Sequence, residues 1–528
     1  MKKRFLFGAI PLGILIILWF TDSCTNPFWP DKAIADKTPI TLGYSGSRVL
    51  SPIDNVGIVI IGLPPGVTAE LGLKTDYNGM DFDKDTNTLI YTDESGLNGT
   101  KSIEFSVNMV SKPDSKPITL TIDVDRYDGR DDKSRIPVTQ KNIADFNIYA
   151  NTTNGLTRHY KLTENVDLPE PPIGGSNWIA IGTNLTGDAF TGSFDGQGHK
   201  ISNLVINNND INCYYLGMFG YINSIMGSGI VKNLGLDGGS ITCINSAGGI
   251  AGLNIGGTIE YCYTTINVTG FYVAGGIVGI NTNGTVQNCY STGEIRALAD
   301  NSPSGGNSAA GGIAGKNQSV PAPFYPGGPA IVVNCYSTGD VHSASDTPPN
   351  NYDIAESGAG GIVGLNLNTQ VQNCYATGKV TGWVSVGGII GYYNTIDDNS
   401  NKVSNNVALN IKLSPPVENY NTLTQDTAHY FGIARVIGYN YSNLSGISNN
   451  YSIEMDVISI SNKVITKRVT FNDDKNSLDG KTITPAEYRN IDWWKSTLSW
   501  DFDTVWQWND KGGASSFTPP ALQNMPAR

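Results

Sequence analysis

The sequence predicts an all-β protein in which a right-handed parallel β-helix follows a small immunoglobulin-like β-sandwich. One glycine-rich phrase recurs five times between residues 248 and 391, and a Cys-Tyr phrase follows each of the first four copies. Charged residues make up only 16% of the chain, while 61 of its 528 residues are glycine. A fixed repeat of this length is typical of stacked-repeat proteins, in which no single unit can bury its own apolar face.

The repeated unit has a period of 27 residues, measured from Gly248 to Gly275 and again from Gly360 to Gly387. It is rich in Ile, Val, Thr and Gly and shows no helical spacing, which indicates short strands bent by Gly and Asn. Parallel stacking of such turns gives a β-helix. The five copies of Gly-Gly-Ile-x-Gly begin at Gly248, Gly275, Gly311, Gly360 and Gly387.

A second pattern, an apolar residue followed two positions later by Asn, also recurs along the chain. Asn tolerates the left-handed conformation that a sharp corner requires, and stacked side-chain amides can bond to one another. Tyr261 replaces Asn in one copy. The pattern predicts one line of corner residues, among them Asn203, Asn233, Asn288, Asn334 and Asn373.

Four cysteines follow these corners, and Leu204 and Leu234 occupy the same place in earlier copies. A position that accepts Leu faces inward, so we expect buried, reduced thiols. Disulfides between turns about 4.8 Å apart are the alternative, but in-register side chains point the same way and fit a disulfide poorly. The spacing, without paired histidines, argues against a metal site. The four are Cys262, Cys289, Cys335 and Cys374.

These phrases resemble the GLUG repeat of bacterial surface proteins, closely over residues 248–391 and more loosely over about 140–528. The segment 190–204 resembles the first turn that precedes such repeats, and Trp500 to Trp506 resembles their closing segment. The resemblance implies a secreted or surface-anchored β-solenoid of the kind found in adhesin-like chains. Some immunoglobulin-cleaving metallopeptidases also carry these repeats.

The amino terminus predicts export. Residues 1–24 combine a basic start with an apolar run, as in a signal peptide, and end in a lipoprotein-like cleavage site at Cys24. Thr21 and Asp22 depart from the usual pattern, so plain cleavage or an uncleaved anchor are the alternatives to acylation of Cys24. Residues 25–37 would then form a tether.

Three further segments complete the predicted organisation. Residues 38–127 are expected to form the immunoglobulin- or cadherin-like sandwich, 128–139 a polar linker, and 140–528 the β-helix with a cap at each end. Residues 142–150 have helical spacing and would cap the first turn. A capping box at Thr484 predicts a helix to about Trp494. Five tryptophans between residues 493 and 508 are expected to plug the end, rather than to form a glycan platform.

Catalytic signals are scarce. The sequence has no His-Glu-x-x-His, no Gly-x-Ser-x-Gly and no phosphate-binding loop. Asp195 and His199 lie close together, but in a stretch that resembles the family's first turn. A carbohydrate-active β-helix enzyme and an accessory chain of a repeat-bearing peptidase are therefore alternatives to the main hypothesis. No cofactor is expected.

One acidic segment has the alternate oxygen ligands of a Ca²⁺ loop, at Asp81, Asp83 and Asp85. Thr86 stands where an EF-hand requires Gly, and Thr92 where it requires Glu. These departures favour a solvated acidic turn, so no metal site is assigned.

Three insertions interrupt the period, at about 294–308, 316–330 and 340–357. Because stacking brings equivalent corners together, they predict a cluster of partner-binding loops, with Phe324, Tyr325, Tyr352 and Asp353 as candidate contacts. The main hypothesis is a surface-anchored, non-enzymatic, adhesin-like protein. It would contact a membrane through its lipid and bind a host or cell-surface protein or glycan. A net charge of −12 argues against nucleic acid.

Overall fold

A computed structural model describes residues 39–92, 98–111, 113–182, 188–208, 210, 214–225, 227–298, 308–321, 328–343, 357–382, 385–395, 402–415, 432–441, 446–461, 464–508 and 517–525. The chain divides into two compact units, with the boundary between Ile136 and Pro137. The predicted signal peptide, Cys24 and the tether lie outside the described residues, as do Phe324, Tyr325, Tyr352 and Asp353.

The first unit is a sandwich of two sheets that share one apolar core. Within its described residues, the first sheet contains Thr41–Tyr44, Val56–Ile61, Thr88–Tyr91 and Met80–Asp83 in that order. The second contains Val49–Leu50, Ile118–Tyr127, Asn98–Met109 and Ala69–Leu73. Leu89 from the first sheet and Phe105 from the second are fully buried in the same core. The sandwich is confirmed, whereas its immunoglobulin-like character stays a prediction.

The second unit is a parallel β-helix, as predicted. Its strands stack into four long parallel sheets, named here sheets 1 to 4 in the order in which the chain visits them. Sheet 1 contains, among the described residues, Ile136–Val138, His159–Leu162, Ser193–Asp195, Ile230–Lys232, Thr258–Glu260, Thr285–Gln287, Ile331–Val333, Gln370–Gln372, Lys402–Ser404 and Ile447–Ser448.

Sheet 2 receives two short strands from most turns. In the described part of the chain, it contains Val166–Asp167, Lys200–Asn208, Gly235–Cys243, Tyr263–Thr264, Asn267–Gly270, Tyr290–Ser291, Ile295–Ala297, Tyr336–Ser337, Val341–Ser343, Tyr375–Ala376, Val380–Gly382, Val407–Ala408, Lys412–Ser414, Tyr451–Ser452, Asp456–Ser461, Val464–Lys467 and Lys481–Thr482. Asp456–Ser461 pairs antiparallel with Val464–Lys467, whereas Tyr451–Ser452 still pairs in parallel with the later strand Lys481–Thr482.

Sheets 3 and 4 carry the glycine-rich phrase. Sheet 3 contains Tyr215–Leu216, Ser246–Gly248, Val273–Gly275, Ala309–Gly311, Gly358–Gly360, Val386–Gly387 and Ile433–Ala434. Sheet 4 contains Phe219–Asn223, Ala251–Ile255, Val278–Thr282, Ala314–Gln318, Val363–Leu367, Ile390–Asn394 and Ile437–Asn440. The described residues thus form seven complete turns, with a partial turn at each end.

The glycines are required because consecutive turns approach each other closely at this phrase. A Cβ on the second glycine, Gly276, would lie 2.2 Å from the carbonyl oxygen of Gly312, the same position one turn later. The corresponding distances are 2.4 Å for Gly249, 2.2 Å for Gly312, 2.1 Å for Gly361 and 2.3 Å for Gly388. No side chain fits such a gap, so this column accepts only glycine while another turn stacks on it.

Arg435 occupies this glycine column in the last turn. Its buried guanidinium donates to Thr482 Oγ1 at 2.7 Å and to the carbonyl of Gly480 at 2.9 Å, and it stacks on Phe471. The chain that follows crosses the end of the stack, since Leu478 accepts the backbone N–H groups of Val436 and Ile437. A large side chain therefore appears where no further turn is added.

The predicted N-terminal helix is present as α1, Ile143–Tyr149, followed by a 3₁₀ turn at Gly155–Thr157. Phe146 is fully buried and packs against Tyr160, Trp178 and Phe194. The predicted linker is shorter than expected. Strand Ile136–Val138, inside the predicted linker, already belongs to sheet 1. The preceding residues 128–134 form a turn in which the Gly129 N–H donates to the Ser134 carbonyl at 2.8 Å.

The C-terminal prediction of one helix is wrong. Helix α2, Pro485–Tyr488, begins with the predicted capping box, in which Glu487 accepts the Thr484 N–H at 2.8 Å. Asn490 is then extended and caps a separate helix α3, Ile491–Thr497, by accepting the Asp492 N–H. Two short helices result because the backbone leaves the helical conformation at Asn490.

The tryptophans lie alongside the stack instead of plugging its end. Trp506 packs against Tyr336 and Tyr375, and Trp500 donates to the carbonyl of Asn405 at 3.1 Å. Antiparallel strands Trp506–Gln507 and Ala521–Leu522 complete this lateral cover. The covered surface is a stack of in-register tyrosines: Tyr263, Tyr290, Tyr336 and Tyr375. The sequence did not predict this lateral cover, because a group of tryptophans does not indicate which surface of the stack it will contact.

We expect Gly276→Ala to lower the free energy of unfolding by at least about 2 kcal/mol, because its methyl group collides with backbone of the next turn. Gly328→Ala is the matched control, because a Cβ there meets no atom within 4 Å. Urea unfolding followed by circular dichroism measures both. Equal midpoints for the two variants would contradict the close-approach explanation.

Candidate functional site

The corner asparagines lie where sheet 1 passes into sheet 2, and all adopt the left-handed conformation. Asn288, Asn334 and Asn373 have φ values of 53°, 54° and 54°. Their amides bond in series, with Asn334 Nδ2 donating to Asn288 Oδ1 at 3.1 Å and Asn373 Nδ2 to Asn334 Oδ1 at 3.0 Å. Asn405 and Asn449 extend the series at 3.3 and 2.7 Å.

Two of the predicted rungs differ from this series. Asn203 belongs to a strand of sheet 2 and lies beside Gly238, so it is not in the column. Leu204 pairs with Gly239, and so it does not share the cysteine column either. Asn233 is in the column, but Tyr261 separates it from Asn288, and its amide donates to Asp195 instead. Asn203 follows the same local pattern because its corner, at φ 63°, is also left-handed.

The cysteines following these corners are fully buried and free. The Cys289 thiol can donate to the carbonyl of Gln287 at 3.1 Å, and the Cys374 thiol to that of Gln372 at 3.1 Å. Burial raises the pKa of the Cys289 and Cys374 thiols well above the usual range. Cys262 and Cys335 occupy the same column, and Cys243 is a further buried free thiol that the sequence analysis missed. The arrangement is a packed interior column without access for a reagent.

A second asparagine ladder, also missed, runs through the interior at the end of sheet 4. Asn254 Nδ2 donates to Asn281 Oδ1 at 2.9 Å, Asn281 Nδ2 to Asn317 Oδ1 at 2.8 Å, and Asn317 Nδ2 to Asn366 Oδ1 at 3.2 Å. All four side chains are fully buried. The signal was available, because each Asn follows the last glycine of its phrase by two residues.

The predicted insertions leave the β-helix at two junctions. The first and third join sheet 2 to sheet 3 in neighbouring turns, since Ala297 pairs with Ser343 and Ala309 with Gly358. Ser308 binds Ser343 at 2.8 Å between their hydroxyls, so the bases of these loops lie side by side. The middle insertion leaves from a different junction, between sheet 4 and sheet 1, where Asn283 and Val320 exchange two hydrogen bonds.

On the turns before the insertions, the residues at the sheet 2 to sheet 3 junction are joined to one another by backbone hydrogen bonds. Ser246 N–H donates to the Tyr214 carbonyl at 3.0 Å, and Ala309 N–H donates to the Tyr272 carbonyl at 2.7 Å. Asn245 lies on the rung between them, because its carbonyl accepts from Tyr272 N–H at 3.1 Å. Tyr214 is 40% exposed. Phe271, beside Tyr272, is partly exposed, so the corner carries aromatic and amide side chains.

The acidic candidates occupy turns. Asp83 accepts the N–H of Asp85 at 2.9 Å and the Thr86 hydroxyl at 2.6 Å in the turn of a hairpin. Asp81 accepts the N–H of Phe82. Asp195 is nearly buried and accepts from Gln197 N–H and Asn233 Nδ2, each at 3.0 Å. The described residues contain no group of three or more His, Cys, Asp or Glu side chains able to hold a metal ion.

Comparison with known families identifies the repeat. The GLUG motif matches residues 272–296 and 355–381. The chain contains GLUG motifs. The first match runs from the aromatic corner at Tyr272 through the phrase at Gly275 to the strand at Ile295–Ala297.

Two relatives share parts of the GLUG-containing chain. Halomucin of Haloquadratum walsbyi is 34% identical over 140 residues, which cover 25% of this chain and 2% of that protein. A Gly-rich membrane protein of Evansella cellulosilytica is 36% identical over 104 residues, covering 19% of this chain and 11% of that protein. The chain thus spans only a small fraction of either relative. Among solved structures, an IgA1 protease is similar with a TM-score of 0.40 and 15% identity, covering 74% of this chain and 29% of that one.

None of the helices in the described part of the chain has the length and apolar composition needed to cross a bilayer.

We expect the buried thiols to react with a thiol reagent only after unfolding, and the free energy of unfolding to fall at alkaline pH. The folded-state pKa of Cys289 and Cys374 lies above the unfolded-state value of about 8.5. The unfolded chain therefore loses these protons first, and stability falls from about pH 8.5 up to the folded-state pKa, by at most about 1.4 kcal/mol per pH unit for each thiol.

Thiol counting with and without urea, and urea unfolding at pH 7 and pH 10, measure these effects. The double variant Cys289→Ala/Cys374→Ala is the control, because it should lose part of the alkaline dependence. Thiols that remain unreactive in urea until a reductant is added would show disulfides and contradict the expectation.

Proposed function

We propose that this protein is an exported, surface-anchored, non-enzymatic binding protein that uses its β-helix as a rigid support for an adhesive corner. The observation that carries the proposal is the junction between sheets 2 and 3. There, two long insertions leave neighbouring turns at bases that lie side by side, next to the aromatic residues of the preceding turns. Insertions at one corner of a stacked repeat are typical of binding faces.

The anchoring part of the proposal rests on the amino-terminal sequence. A basic start, an apolar run and a Cys at position 24 fit a lipoprotein signal, and one relative is named as a membrane protein. The non-enzymatic part of the proposal is supported by the environment of the acidic candidates. The Asp83 and Asp195 carboxylates accept hydrogen bonds within turns and between turns, which suits a structural role better than acid–base catalysis.

Replacing the insertions tests the binding role. Residues 298–308 and 344–357 are each replaced by a two-residue connector of the length seen at Ile244–Asn245 in an earlier turn. We expect unchanged circular dichroism and at least about fivefold weaker binding to a printed array of glycans and extracellular-matrix proteins, because contact area is lost. A third variant shortens residues 319–330 and reports on the other junction. Parental binding by all three variants would place the binding face elsewhere.

A separate experiment tests the anchor. If Cys24 is acylated, the full chain expressed in a bacterial host incorporates labelled palmitate and partitions into detergent, and Cys24→Ser abolishes both. Cys243→Ser, at a buried cysteine, is the matched control and should leave the label in place. Label that persists in Cys24→Ser would contradict lipidation at this residue.

A further inference from the structure

We propose that the corner formed by Tyr214, Asn245, Phe271 and Tyr272 binds a neutral, linear polysaccharide that lies along the axis of the β-helix. This inference rests on the proposed binding function and names the chemical class of its partner. It depends on described residues only.

The four residues occupy three consecutive rungs of one corner, with Phe271 and Tyr272 on the same rung. Tyr214 and Tyr272 are two rungs apart, about 9.6 Å along the stack at the usual spacing of parallel strands, with Asn245 between them. Tyr214 is 40% exposed, and Phe271 and Tyr272 are each partly exposed. Backbone hydrogen bonds of 2.7–3.2 Å hold the rungs, so the side chains start from fixed positions. Along the stack, the rungs of this corner therefore follow the order aromatic, amide, aromatic.

A polysaccharide fits this row better than a folded protein surface does. The C–H face of a sugar ring packs on an aromatic ring, while its hydroxyl groups bond to an amide, and Tyr adds a polar end. A linear polymer with regularly spaced rings can follow a row that repeats along an axis, whereas a compact partner needs a broader patch with a buried centre. The chain's net charge of −12 disfavours polyanionic glycans through like-charge repulsion.

Affinity electrophoresis of the full chain tests the inference, with gels that contain soluble β-glucan, mannan, galactomannan or the acidic polygalacturonate. We expect at least one neutral polysaccharide to retard the chain and polygalacturonate not to do so. Tyr214→Ala and Tyr272→Ala should each weaken the retardation at least about fivefold, since each removes a stacking surface. Tyr441→Ala removes a tyrosine that is 70% exposed and directly follows strand Ile437–Asn440 of sheet 4, and it should leave retardation unchanged.

Retardation by none of the neutral polysaccharides would overturn the inference, as would retardation unaffected by both corner substitutions. The array experiment with shortened insertions separates this result from the proposed function. If the insertions are needed for binding to matrix proteins while no polysaccharide binds, the binding function stands and its partner is a protein. If the tyrosine substitutions weaken polysaccharide binding but the shortened insertions leave binding to the array unchanged, the glycan inference is supported and the proposed role of the insertions is contradicted. Circular dichroism of each variant confirms that its fold is intact.

Discussion

The rest of the β-helix depends on one close contact between the backbones of consecutive turns. This contact lies at the second glycine of each Gly-Gly-Ile-x-Gly phrase. At this position, the Cα of each glycine faces the carbonyl oxygen of the equivalent residue in the next turn. The space between the two is too small for a Cβ. Such a contact restricts slip along the strands, because a one-residue shift in one direction would bring the side chain of the following residue, such as Ile277, into the gap. The fixed register then stacks identical residues of consecutive turns on one another. Glycine stacks on glycine in sheet 3, and tyrosine stacks on tyrosine in sheet 2 with ring centroids 4.8–5.0 Å apart.

The same register solves the problem of burying polar groups. A buried amide without a partner costs about 1–3 kcal/mol, but stacked amides serve as partners for one another. Asn281 and Asn317 each bond to both neighbours of their ladder. The ladder ends after Asn366 because the next turn places Tyr393 in register with it, and a tyrosine ring cannot continue a chain of amides. Accordingly Asn366 Nδ2 has no partner among the described residues.

The sequence was sufficient for features that repeat, and insufficient for those that occur once. The period identified the stacked turns, although not the number of strands in each, and the left-handed corners from Asn233 to Asn373 were predictable because few residues other than Asn and Gly adopt that conformation. Asn203 was misplaced because a local pattern does not say which corner it belongs to. The lateral aromatic cover was not predictable, since nothing in a run of tryptophans indicates whether they meet the end or the side of a stack. At the candidate corner, the insertions were recognisable from the period, whereas Tyr214 and Tyr272 became neighbours only through the stacking.

Removal of one whole turn tests the central claim that register between turns determines this fold. Deleting residues 249–275 joins Gly248 to Gly276 and removes one 27-residue period, including Tyr263 at the end of the tyrosine stack, while Tyr336 and Tyr375, which contact Trp506, are retained. We expect a folded protein with the same circular dichroism per residue and a cooperative unfolding transition. Deleting residues 249–262 instead removes about half a period and should give a protein that is unfolded beyond the sandwich. If the two deletions fold equally well, or if removal of the full period unfolds the β-helix, stacking in register does not control the structure.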